Sequence, residues 1–533
     1  MTLNIGPRFR WAWIAFLVVA TSVPYGVNWF YTPPGYRYMW ILPPDPEDSF
    51  AYMAWAQQAA RGALLFKIKY TALPHAPFLF HPFFLVCGWL SALFSCDVGI
   101  MLLILKALGV AIFFLTFYRY ADYLGLGRTE STTASILLGV SSGFGGIFAA
   151  LGSNSDSQMF ATDLSIPEMT TCYGFLWNPL FPFSLTLILL SIFWLDRGTR
   201  DSRTADIWRA GIASGVLAMI HPYFVPIVFA FAIVVAIVRA RTAAFGYLAR
   251  YFAAALPLAV YEGLISVFHP IVSKHSAIGE MKSPPLLGYF LGFGLPLLLF
   301  AAALIIDRGR YAKRYWQIVL WFVLCLALAY LPVWFQRKLI FGAQVPLCIM
   351  AGVAVGWIAT RYASTTARRV ALSAVAVILL PALVATPVYL LVGLDKQVKE
   401  NIDNAYFENG ELIDALKALK KMSKRDDIVF AEPATSRLIP ALSGNTTIWG
   451  HWAMSVDYDD RRRWLDNLLH PTTNWDDKAR AREFWGTGIE FVLADKGFKR
   501  SLDESPYVWR VILEDADKVF ENPSVVIYRH RKS

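Results

Sequence analysis

The chain has 533 residues, 56% hydrophobic and only 17% charged, with a net charge of +10. A soluble domain carries about a quarter charged residues and could not hide this much apolar surface, so the composition points to a membrane protein. No basic soluble patch interleaved with aromatics is present, which argues against a nucleic-acid partner; the excess of Lys and Arg is read as membrane topology.

In chain order, Arg8 and Arg10 precede an apolar block at 11–30 without a small-residue cleavage site, as in an uncleaved first span. Further apolar blocks fall at 99–118, 131–151, 175–195, 207–220, 223–238, 247–267, 286–306, 315–333, 339–358 and 370–392. Together they predict an all-α polytopic domain of about eleven transmembrane helices. Only His221-Pro222 separates the blocks at 207–220 and 223–238, so these are either one kinked helix or two short ones. The five cysteines (Cys87, Cys96, Cys172, Cys325, Cys348) form no C-x-x-C pair, and neither a disulfide framework nor a zinc site is expected.

The block at 77–95 decides the topology. If it crossed, the basic connections would face outward. If it only dips into the membrane or lies along it, Arg119, Arg128, Arg197, Arg200, Arg203, Arg239, Arg241, Arg250, Arg308, Arg310, Lys313, Arg314, Arg361, Arg368 and Arg369 all fall inside, and the positive-inside rule favours that arrangement. The outer, periplasmic face then carries loops at 31–76, 152–174 and 268–285, the short connection Trp334–Lys338, and the chain beyond about 395. Hydropathy drops after Leu394, dividing the chain into a membrane domain (1–394) and a small periplasmic α/β domain (395–533), with a helix at Glu411–Lys424 and strands at Asp427–Glu432, Ile489–Ala494 and Val525–Tyr528. Neither a Gly-rich phosphate loop nor a nucleophile elbow occurs there, which suits a lid or docking role; Gly450-His451-Trp452 is singled out as a turn that could face a substrate cavity.

The first outer loop contains Pro43-Pro44-Asp45-Pro46-Glu47-Asp48-Ser49-Phe50-Ala51-Tyr52, opening a helix that runs to Arg61-Gly62. Capping explains much of this: Asp45 suits N-cap, Pro46 N1, Glu47 and Asp48 the positive helix end, and Gly62 the C-cap. An acid on a surface helix between the first span and the inserted block is also placed to meet a lipid phosphate. Here the sequence resembles the GT-C superfamily of integral membrane glycosyltransferases, which includes protein O-mannosyltransferases and the lipid A aminoarabinose transferase. Its members carry an acid at the start of an interfacial helix in this loop, often with a tyrosine four positions on and a glycine near the helix end; Asp48, Tyr52 and Gly62 match. Where an Asp-Glu pair is common, this chain has Asp48-Ser49. Tyr70-Thr71 and His75-Ala76-Pro77 resemble the Pro-containing entry to the next membrane segment.

The resemblance implies a GT-C-like architecture through about residue 394 and a second acid in the next outer loop. Of Asp156, Asp163 and Glu168, the last fits best, standing in Pro167-Glu168 ahead of Trp177-Asn178-Pro179. Arg337 and Lys338, in Gln336-Arg337-Lys338 at the outer ends of two spans, are expected to bind the donor phosphate; Lys274 and Lys282 are weaker versions of that idea. Asp45, Tyr52, His75, His221 and His451 are candidates for contacting substrate, and His81, His269 and His275 also fall near the outer face. No histidine pair has helical ligand spacing, so no metal site is assigned, and the cofactor stays unknown, with a divalent cation open. The expected reaction moves a sugar from a polyprenyl-phosphate donor to a glycan, lipid or protein acceptor at the periplasmic face of a bacterial inner membrane. Asp48 is expected to serve as general base, and the resemblance implies inversion of the anomeric configuration. A lipid-linked-sugar flippase would show inverted repeats and midplane polar residues; an O-antigen polymerase or ligase would place its large loop late, between spans. Neither pattern is found.

Overall fold

The computed structural model describes residues 7–43, 46–152, 162–277, 280–362, 365–400, 405–470, 476–498 and 505–531. The chain forms two compact units, each assembled from separated stretches: Met1–Pro24, Leu103–Ser266 and Gly279–Lys396 in the first, Tyr25–Leu102, Val267–Ile278 and Gln397–Ser533 in the second.

Among the described residues, eight helices are long and apolar enough to cross a membrane: Arg8–Phe30, Val98–Tyr123, Phe181–Arg200, Pro222–Arg239, Arg241–Phe268, Leu286–Arg314, Gln336–Tyr362 and Thr366–Glu400. Many of their large side chains point outward, among them Trp11, Phe16, Ile104, Leu108, Val260, Leu264, Val377 and Ile378. That surface is tolerable against hydrocarbon and not against water. The chain is therefore a multi-pass membrane protein.

The helices at Arg128–Val140, Thr204–Ile220 and Trp316–Leu328 are shorter than the rest. Thr204–Ile220 lies along Phe181–Arg200, and Arg128–Val140 along Gln344–Tyr362. The latter approach depends on Gly352, where a Cβ would come within 2.4 Å of the Glu130 carbonyl, a use of small residues familiar from membrane helix contacts. At His221 the backbone leaves helical geometry (φ −146°), and a 3-10 turn at Pro222–Phe224 starts a new helix, so the His221-Pro222 junction separates two helices.

Two expected spans are interrupted. The block at 131–151 is a helix ending at Val140 followed by a short helix at Gly145–Ala150. The block at 175–195 is divided by Asn178-Pro179 into helices at Thr171–Trp177 and Phe181–Arg200. Broken backbone inside a membrane protein must find partners within it. Ser142 N–H donates to the Leu383 carbonyl (3.1 Å), and the amides of Gly143 and Gly145 donate to the Asp163 carboxylate (2.9 and 3.1 Å).

Several arginines near helix ends pair with acids. Arg10 forms a bidentate pair with Asp122 (2.6 and 2.7 Å), Arg197 with Asp206 (2.6 and 2.8 Å), and Arg239 pairs with Asp196.

In the second unit the block at 77–95 is a 12-residue helix, Pro82–Leu93, about 18 Å long at 1.5 Å per residue and too short to cross roughly 30 Å of hydrocarbon. It packs on Pro46–Ala60, with Gly88 seated against Ala56 and Ala59.

Among the described residues, seven strands complete this unit. β1 (Tyr36–Tyr38) pairs antiparallel with β2 (Phe407–Asn409). The others are β3 (Ile428–Phe430), β4 (Thr446–Thr447), β5 (Ile489–Ala494), β6 (Ala516–Glu521) and β7 (Val526–His530), in the order β4-β3-β5-β7-β6. β3 runs parallel to β4 and β5, while β7 is antiparallel to β5 and β6. Helix Gly410–Met422 and strands β3, β5 and β7 answer the expected helix and strands. The sheet buries Phe430, Phe484, Trp509 and Ile512, and the first loop reaches its edge, where Lys69 C=O accepts from Thr447 N–H (2.9 Å). The protein thus combines an all-α membrane domain with a small α/β part.

Candidate active site

In the second unit, helix Pro46–Ala60 begins with Glu47 and Asp48 in its first turn, where the helix's partial positive charge favours carboxylates. Two residues past its end stands Gly62, whose φ of +85° suits a residue without Cβ. The Gly450–Trp452 turn meets the start of this helix. Gly450 takes φ +125°, and a Cβ there would crowd the Arg437 amide at 2.8 Å. Trp452 N–H donates to Glu47 Oε2 at 2.7 Å, and His451 Nε2 lies 3.5 Å from Asp48 Oδ1.

The backbone fixes the tautomer of His451. Its Nδ1 accepts from the amides of Ala453 (3.0 Å) and Met454 (3.3 Å), so the proton of the neutral ring resides on Nε2, facing Asp48. The His451 side chain is 1% exposed and that of Asp48 is 31% exposed. This is a buried donor aimed at a carboxylate that solvent and ligands can still reach. Tyr70 packs on the imidazole (5.4 Å between centroids) and donates to the Arg437 carbonyl (3.1 Å). Burial, with Glu47 nearby, pushes its phenol well above the ordinary range, so it remains a donor.

Other residues singled out in the sequence hold the local fold. Tyr52 packs against Trp55 and Phe84. His75 accepts from Ile68 N–H (3.1 Å) and donates to Leu73 C=O (2.7 Å), so its two ring nitrogens serve the backbone of its own loop. His269 stacks on Phe78 at 3.6 Å, and Lys274 pairs with Asp457 (3.3 Å). Asp45 and Asp156 lie outside the described residues, as does the side chain of His275. Among the described residues, no three His, Cys, Asp or Glu side chains gather as metal ligands.

The first unit has its own polar cluster. Glu168 is buried, and its Oε2 has no hydrogen-bond partner; the same is true of Arg337 Nε. The two do not pair with each other, yet both act electrostatically on the phenols of Tyr173 and Tyr289, which places them in one neighbourhood. The Arg337 backbone is fixed by its N–H to the Met281 carbonyl (3.1 Å). Lys338 Nζ sits 4.3 Å above the Tyr223 ring. His221 meets Ser184 Oγ through Nδ1 at 2.7 Å. Asp163, five residues before Glu168, is saturated: Ser142 Oγ (2.9 Å), Thr386 Oγ1 (2.7 Å) and the Gly143 amide donate to Oδ2, and the Gly145 amide to Oδ1.

Sequence reasoning did not find Tyr70 or Arg437 as parts of the Asp48 surroundings. Their signal is tertiary: one sits in a loop strand and the other before a short helix, with nothing unusual in spacing.

No protein-family model matches the sequence, and no curated protein matches it. Solved structures do match in fold. An oligosaccharyltransferase of Archaeoglobus fulgidus, tethered to an acceptor peptide, aligns over 99% of this chain and 75% of its own, with 13% identity and a TM-score of 0.52. ArnT of Cupriavidus metallidurans, bound to undecaprenyl phosphate, aligns over 97% of this chain and 98% of its own, with 12% identity and a TM-score of 0.52. The chain therefore shares the fold of these two proteins.

Proposed function

We propose that this protein is a membrane glycosyltransferase that takes a sugar from a polyprenyl-phosphate donor and passes it to an acceptor hydroxyl at the periplasmic face of a bacterial inner membrane, with inversion. In this reading residues 1–394 form the catalytic membrane domain and 395–533 a periplasmic domain, with the N-terminus cytoplasmic. The observation that carries it is the Asp48 carboxylate at a helix start, with a His451 ring whose Nε2–H faces it at 3.5 Å. The shared fold of a neighbour bound to undecaprenyl phosphate supports the donor class.

The chemistry balances simply. The acceptor oxygen attacks the anomeric carbon while the bond from that carbon to the phosphate oxygen breaks. Asp48 takes the acceptor's proton, and the polyprenyl phosphate leaves with the bonding pair, its charge stabilised by Arg337 and, more weakly, Lys338. His451 keeps the Asp48 carboxylate turned toward the acceptor. For Glu168 the proposed role is to orient the acceptor or hold a divalent cation.

The test is Asp48→Asn in purified protein supplied with a panel of radiolabelled polyprenyl-phosphate sugars. Wild type transfers label from at least one, and the variant loses about 10²- to 10⁴-fold in turnover, the range for a positioned general base. Turnover near wild type in the variant removes Asp48 from this role.

A further inference from the structure

A cavity of about 790 Å³ in the second unit is lined by Glu47, Arg437, His451, Trp452, Asp457 and Arg463, among others. Its size falls within the range of ligand pockets, about 300–1,000 Å³. We infer that this cavity is the acceptor subsite and that its acceptor is an uncharged glycan. The inference rests on the glycosyltransferase reading and names the acceptor that reading leaves open.

Three observations carry it. First, the lining includes Arg437, a residue 9% exposed whose buried Nε has no hydrogen-bond partner. A buried N–H left unpaired costs about 1–3 kcal/mol, and a sugar hydroxyl that reaches it would remove that cost. Second, the indole of Trp452 is 50% exposed and lies nearly parallel to the His451 ring (20°, centroids 6.1 Å apart). A half-exposed, propped aromatic face matches the C–H face of a pyranose.

Third, the charges of the lining oppose a polyanion. Lys274 is paired with Asp457 (3.3 Å), Arg463 with Asp460 (2.5 Å), and Arg437 faces Glu408 (3.5 Å). Glu47 and Asp459 add further carboxylates to the lining. The cations are thus occupied and the acids are in surplus. An anionic acceptor would be repelled, whereas hydroxyl groups can donate to these carboxylates. The cavity also reaches His451, whose ring faces Asp48, so a glycan seated there presents a hydroxyl close to the proposed base.

Binding without turnover tests this separately from the donor chemistry. The full chain in nanodiscs is titrated with neutral gluco-, manno- and galacto-hexaoses, with a polyanionic oligogalacturonate of equal length, and with a Ser/Thr-rich peptide, read by saturation-transfer NMR. At least one neutral hexaose binds in preference to the other two classes. Trp452→Ala weakens it at least about tenfold, and Trp452→Tyr retains most of it. Thermal unfolding shows both variants folded. Preference for the oligogalacturonate or the peptide overturns the inference, as does a neutral hexaose signal indifferent to Trp452→Ala, or no neutral signal at all. A Trp452-dependent glycan signal in a protein whose Asp48→Asn variant keeps full turnover leaves this subsite standing and removes the base assignment alone.

Discussion

Two buried carboxylates five residues apart, Asp163 and Glu168, belong to different kinds of region. Asp163 sits in a knot that ties the break after Val140 to Thr386, and its oxygens receive four donors. Glu168, within electrostatic reach of the Tyr173 and Tyr289 phenols, has an oxygen that receives none. Burial of an acid is costly in both places. In the knot the cost is offset at once by hydrogen bonds that hold the fold. In the Glu168 region the group retains capacity for something from outside the chain.

Variants should separate the two regions by which quantity they move. The largest effect expected is on stability: Asp163→Ala strands two amides and two hydroxyls and should cost about 3–5 kcal/mol, seen as a marked drop in thermal midpoint in detergent. A midpoint within one or two degrees of wild type would erase the distinction. Glu168→Gln keeps the shape, so it should leave the midpoint nearly unchanged while turnover falls about 10²-fold; a loss of stability matching that of Asp163→Ala would assign Glu168 to the fold instead. Arg337→Ala should raise the donor KM by about tenfold, the worth of one charge-assisted contact, with kcat less affected. Unchanged donor kinetics would count against its phosphate role. Smallest should be Lys338→Ala, about two- to threefold in the same measurement, because its ammonium already rests on Tyr223. An effect exceeding that of Arg337→Ala would reverse the order of the pair.

Periodicity and composition made the long spans legible, together with the short helix at Pro82–Leu93 and three of the strands. The breaks at Ser141–Phe144 and Asn178–Leu180 were harder to see. The first has no proline, and its amides are rewarded by Asp163 and Leu383, far along the chain. At the candidate site, the helix start around Asp48 could be read from local capping chemistry. That His451 would face it could not, since nothing in a Gly-His-Trp turn names its partner. The same limit applied to the acids of the second loop: sequence ranks Asp163 and Glu168 by flanking prolines, whereas the structure distinguishes them by hydrogen bonds saturated or left open.

The second unit also has a consequence for biogenesis. Arg37 and Asp414, whose side chains meet at 3.3 Å, stand 377 positions apart, and β1 finds its partner only in β2. During synthesis, the loop bearing Asp48 emerges long before the strands and the turn that brace it. It must wait, through insertion of nearly every later span, for the final stretch of polypeptide. A nascent or truncated protein that stops short of His451 carries the acid without the imidazole that faces it.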